Sequence, residues 1–203
     1  MITINVASPA GSGMNYALSL LKSSFPDIEF KAVGHMRSDI EEEVPTIVIL
    51  RDPYLTVASG AERWIDTAGH EFFASNEDVI PVEDIKGIKT RIGWEAERYF
   101  NFFNGIENVG HVKVLSFDDL TEDKSEFLNM FKKEFNIQEE ALETTELDLI
   151  EAVVESGNAN RVPREKSDAR KIIDTLILEM HPKETWEVWK IYSELKTKLN
   201  QEG

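Results

Sequence analysis

The sequence predicts one α/β domain, with a mostly parallel central sheet and helices on both of its faces. Segments typical of strands alternate with segments of helical spacing along the chain. The stretch from Thr46 to Arg51 is apolar after its first residue and ends in a charge, which is typical of a parallel strand buried on both faces. A length of 203 residues suits a single domain, 1–203, with a sizeable core.

The first strand is expected at residues 2–7, where Ile2, Ile4 and Val6 alternate with smaller or polar residues. Similar alternation predicts strands at 28–35 and 111–117, with the apolar run at 46–51 between them. Polar, acidic residues at 36–43 indicate a loop or a short helix. The carboxyl ends of parallel strands lie at one edge of a sheet, so the residues that follow these strands should converge there.

Helical spacing begins at Met14 and continues without a breaker to Pro26. Asp52 and Pro53 are typical of an N-cap and a first helical position, which predicts a second helix to about Trp64. Further helices are expected at 88–104, 124–135, 147–154, 169–179 and 183–199. The aromatic stripe of the 88–104 helix is interpreted mainly as core.

The turn between the first strand and the first helix, Ser8 to Gly13, contains two glycines and a proline. A strand, a glycine loop and a helix together direct backbone N–H groups toward an anion. A Walker loop would have Lys and Ser or Thr where Met14 and Asn15 stand, so a nucleoside triphosphatase is disfavoured. A turn that binds nothing is the alternative.

The net charge of −16 disfavours nucleic acid or an anionic membrane as the main partner. An anionic ligand would therefore need a local group of cations.

The chain has no Cys, which excludes disulfides and thiolate chemistry. No apolar run approaches the roughly 20 residues of a membrane span, and the N-terminus lacks the pattern of a signal sequence, so a cytoplasmic location is expected.

Three segments together resemble the sulfotransferases that use 3′-phosphoadenosine 5′-phosphosulfate (PAPS). Ser12-Gly13-Met14-Asn15-Tyr16 is similar to the family's 5′-phosphosulfate loop, Ser-Gly-Thr-Thr, often followed by Trp. Arg51, followed eight residues later by Ser59, resembles the 3′-phosphate motif, and residues 115–120 resemble its Tyr-Glu-Asp-Leu signature. The resemblance covers roughly residues 2–135, with a looser likeness at 161–166.

This resemblance implies a P-loop NTPase-like three-layer fold and transfer of a sulfuryl group from PAPS, without a metal, to a hydroxyl of a small molecule or glycan. Residues 65–104 would shape the acceptor pocket, and 156–203 would form a basic loop and closing helices. His35 would be the base. The implied nucleotide-binding residues are Ala10, Gly11, Ser12, Gly13, Met14, Asn15, Tyr16, Arg51, Ser59, Phe117, Arg161 and Arg164.

Each of these roles has a structural alternative. Arg51 could form an ion pair at a strand end, His35 could be structural, and Tyr16 or Phe117 could pack in the core instead of stacking on adenine. The basic residues at 161–166 could be solvated instead of closing on the 3′-phosphate.

One departure concerns catalysis. The family usually has Lys or Arg where Gly11 stands, so either Lys31 or Arg37 substitutes, or turnover is slow or absent. A non-catalytic nucleotide-binding module and a degenerate P-loop kinase are therefore the alternative functions.

Overall fold

The computed structural model describes residues 2–67, 82–142 and 168–202. Its strands are β1 (Thr3–Ala7), β2 (Glu29–Ala32), β3 (Thr46–Leu50) and β4 (Val112–Ser116). The helices are α1 (Met14–Ser24), α2 (Pro53–Thr67), α3 (Val82–Phe103), α4 (Phe117–Glu122), α5 (Lys124–Phe135), α6 (Asp168–Met180) and α7 (Glu187–Glu202). In these ranges, none of the helices is long and apolar enough to cross a membrane.

The four strands form one parallel sheet in the order β2-β1-β3-β4. Asn5 of β1 is in register with Lys31 of β2 and with Thr46 of β3, and Val48 of β3 is in register with Val114 of β4. All five residues of β3 are buried, as the apolar run predicts for a strand inside a parallel sheet. The prediction of an α/β domain with a parallel sheet is confirmed.

The two faces of the sheet carry separate hydrophobic cores, because successive strand residues point to opposite sides. Ile47 and Ile49 pack with α1, α4 and α5, whereas Val48 and Leu50 pack with α2, α3, α6 and α7. On the first face, the rings of Phe25, Phe30 and Phe135 surround Phe131.

The connections diverge at the centre of the sheet. From β1 the chain passes through α1 to the edge strand β2, and from β3 it passes through α2 and α3 on the opposite face to β4. The neighbouring strands β1 and β3 therefore flank the point where the winding direction reverses. In open α/β sheets, ligands bind in the crevice at the carboxyl ends of such strands. Residues 8–13 and Arg51 follow these two strand ends.

Most element predictions are confirmed, with shifted ends. The predicted helix at 124–135 matches α5, and Asp52 caps α2 by accepting hydrogen bonds from the amides of Tyr54 and Leu55. Phe117 was expected to end a strand but begins α4, because the Ser116 hydroxyl accepts from the Asp118 amide and caps the helix. Helix α3 begins six residues earlier than expected, and α7 begins at Glu187 instead of 183. The predicted helix at 147–154 lies outside the described residues.

Candidate functional site

The loop between β1 and α1 depends on two glycines in the left-handed region. Gly11 has φ +91° and Gly13 has φ +84°, values that side-chain-bearing residues adopt only with strain. A methyl group on Gly11 would lie 2.7 Å from the Thr56 carbonyl oxygen, so the loop backbone packs directly on α2. The Ser12 hydroxyl lies 3.4 Å from that of Thr56 and is completely buried. These contacts hold the loop in one conformation.

Helix α1 starts from this loop without a side-chain cap. Gly13 is its N-cap residue, and its first turn contains no acidic residue. The partial positive charge of a helix N-terminus is therefore not compensated locally, although the protein as a whole carries −16. Met14 is buried in the core, whereas Ala10, Asn15 and Tyr16 are partly exposed at the start of the helix. Such an N-terminus favours an anion over a cation.

Arg51 lies against the loop. Its Nη1 donates a 2.6 Å hydrogen bond to the Gly11 carbonyl oxygen, and the Arg51 carbonyl accepts one from the completely buried Tyr99 hydroxyl at 2.8 Å. Burial is the main cause that lowers the pKa of Arg51, and the nearby Arg170 lowers it further, opposed by Asp118 and Asp52. A partly desolvated guanidinium beside a second one favours the binding of an anion.

Phe117 connects Arg51 with the loop. The Arg51 guanidinium carbon lies 4.7 Å from the centre of the Phe117 ring, a cation–π contact. The same ring covers Gly13, where a methyl group would lie 2.0 Å from its Cε2 atom. Tyr16 meets the ring edge-on at 6.4 Å between centroids. The Phe117 ring therefore contacts Arg51, Gly13 and Tyr16, and it packs partly buried at the border of one core.

Ser59 lies on α2 next to Gly11 and accepts a hydrogen bond from Arg170 of α6. Arg170 Nη1 lies 3.1 Å from the Ser59 hydroxyl, and the Arg170 side chain also pairs with Glu62 and Asp174. Arg170 belongs to a basic part of the sequence but was not predicted as a site residue. Only the packing of α6 on α2 brings it to Ser59, and no local motif could have indicated it.

His35 lies beside the start of the loop. Its Nδ1 is 2.8 Å from the Ser8 carbonyl oxygen. A carbonyl oxygen only accepts hydrogen bonds, so Nδ1 carries a proton, and in the neutral form of the ring the lone pair is on Nε2. The structure therefore brings His35, the glycine loop, Arg51 and Phe117 to the same edge of the sheet, as expected from the strand ends.

The two cations considered as substitutes for a loop lysine are directed elsewhere. Lys31 pairs with Glu29 at 3.3 Å on the edge strand, and Arg37 Nη2 donates to the Gly105 carbonyl oxygen at 3.5 Å. Arg51 is the described arginine that donates to the loop carbonyl. The predicted binding residues Arg161 and Arg164 lie outside the described residues, as do all of the residues between α2 and α3.

The aromatic stripe of α3 is core with one exception. Tyr99, Phe102 and Phe103 are buried, but Trp94 is 44% exposed, and the guanidinium carbons of Arg91 and Arg98 lie 4.0 and 4.6 Å from its ring centre. The interpretation of Trp94 as core is therefore wrong.

The residue next to Trp94, Glu95, is 4% exposed and pairs with both arginines, at 2.5 Å from Arg91 and 3.3 Å from Arg98. Its carboxyl group packs against Gly60 of α2, where a methyl group would lie 2.7 Å away. The ion network therefore lies within α3, and its buried carboxyl group packs against α2.

The Asp118-Asp119 segment holds α7 against the end of β4. Lys196 Nζ lies 2.6 Å from the Ser116 hydroxyl and 3.0 Å from Asp119, and the Tyr192 hydroxyl donates to Asp118 at 3.2 Å. Burial and these carboxylates raise the pKa of Tyr192. These contacts thus join α7 to α4 and to the end of β4.

No protein-family model matches the sequence, and no curated protein is similar to it. The case for a function therefore depends on the site itself.

Proposed function

We propose that the protein binds a phosphorylated adenine nucleotide in the crevice between β1 and β3, and that it is a PAPS-dependent sulfotransferase. In this proposal the sheet belongs to the P-loop NTPase-like class. The observation that carries the proposal is the hydrogen bond from Arg51 to Gly11. This bond holds the guanidinium at the loop that precedes the uncapped N-terminus of α1, where the winding direction of the sheet reverses.

Sulfuryl transfer needs donors for the oxygens of the transferred group and a base for the acceptor proton. The amides that open α1 and the Arg51 guanidinium would be the donors. The Nε2 atom of His35 would take the proton of the acceptor hydroxyl, because Nδ1 is directed to Ser8. A rigid loop supports this chemistry, since donors that are already positioned cost little reorganisation during the reaction.

Arg51→Ala should weaken the binding of adenosine 3′,5′-bisphosphate at least tenfold, which corresponds to about 1.4 kcal/mol. The variant removes a directional donor that a lysine or water does not replace. Isothermal titration calorimetry of wild type and variant measures the change. An unchanged dissociation constant would refute the assignment. Thermal stabilisation of the wild type by Mg-ATP, but not by the bisphosphate, would instead indicate a kinase.

His35→Ala should leave the affinity for adenosine 3′,5′-bisphosphate unchanged and reduce turnover about 100-fold, the usual contribution of a positioned general base. The assay is release of the bisphosphate from PAPS with a panel of alcohols, phenols and sugars as acceptors. Turnover equal to that of the wild type would remove His35 from the mechanism. If the wild type binds the bisphosphate but transfers sulfate to none of the panel, the protein is a binding module.

A further inference from the structure

The two residues of the Arg51–Ser59 motif are associated with two different guanidinium groups. The Arg51 side chain donates to the Gly11 carbonyl oxygen at 2.6 Å. The Ser59 hydroxyl instead accepts from Arg170 at 3.1 Å. The two residues of the motif therefore have different hydrogen-bond partners, and it is Arg51 that contacts the loop carbonyl.

We propose that Arg51 is the cation of the glycine loop and binds the 5′ end of the nucleotide, where Gly11 leaves no side-chain charge. This inference rests on the proposed function, because it assigns an end of the proposed nucleotide. It also provides a cation in place of the Lys or Arg that the resembling family usually has at the position of Gly11. The positive charge that the loop sequence lacks then comes from the end of β3, the strand that pairs with β1.

The surroundings of Arg51 hold the guanidinium at the loop. Nη1 is bonded to Gly11, and the Phe117 ring that covers Gly13 also lies against the guanidinium. The Phe117 ring therefore contacts both the part of the loop with φ +84° at Gly13 and the Arg51 guanidinium. The loop conformation and the position of Arg51 depend on the same ring. A guanidinium has five N–H donors, and the bond to Gly11 uses one of them.

Arg51 also has a donor that an anion would satisfy. Its Nε is buried and has no hydrogen-bond partner among residues 2–67, 82–142 and 168–202. A buried donor without a partner is costly, and an anion oxygen is a suitable acceptor. Binding there would also reduce the repulsion between Arg51 and Arg170, which, after burial, is the second cause that lowers the pKa of Arg51.

The test compares two monophosphates that carry their charge at opposite ends of the same nucleoside. In Arg51→Gln, calorimetry should show at least tenfold weaker binding of adenosine 5′-phosphate and an unchanged affinity for adenosine 3′-phosphate. Arg37→Gln is the matched control, because it removes the same charge from an arginine that contacts Gly105 instead of the loop. This control should bind both nucleotides like the wild type. Circular dichroism melts check that both variants are folded.

Three outcomes in Arg51→Gln would overturn the inference. These are weaker binding of adenosine 3′-phosphate alone, equally weakened binding of both nucleotides, or unchanged binding of both. Failure of the proposed function is a separate result, namely that the wild type binds no adenosine phosphate. In that event, inorganic pyrophosphate is the probe of the loop. Weaker pyrophosphate binding in Arg51→Gln but not in Arg37→Gln would support the loop cation without the nucleotide. No difference between the two variants would refute it.

Discussion

Gly13→Ala should lower the free energy of unfolding by about 3 kcal/mol. Part of this loss, about 1–2 kcal/mol, comes from placing a side chain in the left-handed region at φ +84°. The rest comes from overpacking, since the new methyl group would lie 2.0 Å from a Phe117 ring atom and the ring must move. Urea denaturation followed by circular dichroism measures the change. Displacement of the ring would also disturb Arg51, so affinity for the bisphosphate should fall as well.

Two comparisons separate these causes. Gly87→Ala, on α3, adds a methyl group with no atom within 4 Å and should stabilise the protein by about 0.5–1 kcal/mol. In the double variant Gly13→Ala/Phe117→Ala, the steric part of the loss should disappear and the backbone part should remain. The two substitutions must therefore be non-additive by about 1 kcal/mol or more. Strict additivity would show that the ring and the loop are not in contact in solution.

The sheet was predictable because its signals are local. The apolar run that ends at Arg51 identifies a buried parallel strand, and Asp52-Pro53 identifies the helix after it. The glycine loop was recognisable for the same reason, since a turn with positive φ at two positions requires glycine there. Parallel topology then implies that residues after neighbouring strands meet, which is how His35 and Arg51 were placed near the loop.

The contacts that decide what Arg51 does were not predictable, because they join residues far apart in the sequence. The motif spacing associates Arg51 with Ser59, but the packing of α6 brings Arg170 to Ser59 and leaves Arg51 at Gly11. The exposure of Trp94 was missed for a related reason. Its position in an aromatic stripe indicates core, whereas the two arginines one helical turn away on either side cover its ring in place of the core.

Glu95→Gln should cost about 3 kcal/mol of stability, because it removes the carboxylate that pairs with both Arg91 and Arg98. The two arginine side chains are only 23% and 16% exposed, so water compensates little of the lost attraction. Breaking a buried ion network by removing one member is usually costly for this reason. Glu97→Gln changes the same chemistry at an exposed position of α3 and should stay within about 0.5 kcal/mol of the wild type.

The position of Glu95 against Gly60 gives this prediction a consequence for the loop. Gly60 is also a neighbour of Gly11, because a methyl group added to Gly11 would lie 3.3 Å from the Gly60 amide nitrogen. Glu95, Gly60 and the loop thus form consecutive layers, and a shift of α3 would reach the loop through α2. We therefore expect Glu95→Gln, but not Glu97→Gln, to weaken bisphosphate binding in calorimetry under conditions where both are folded. Equal stability of the two variants in urea would mean that the network contributes nothing, and unchanged bisphosphate affinity in folded Glu95→Gln would rule out this route from α3 to the loop.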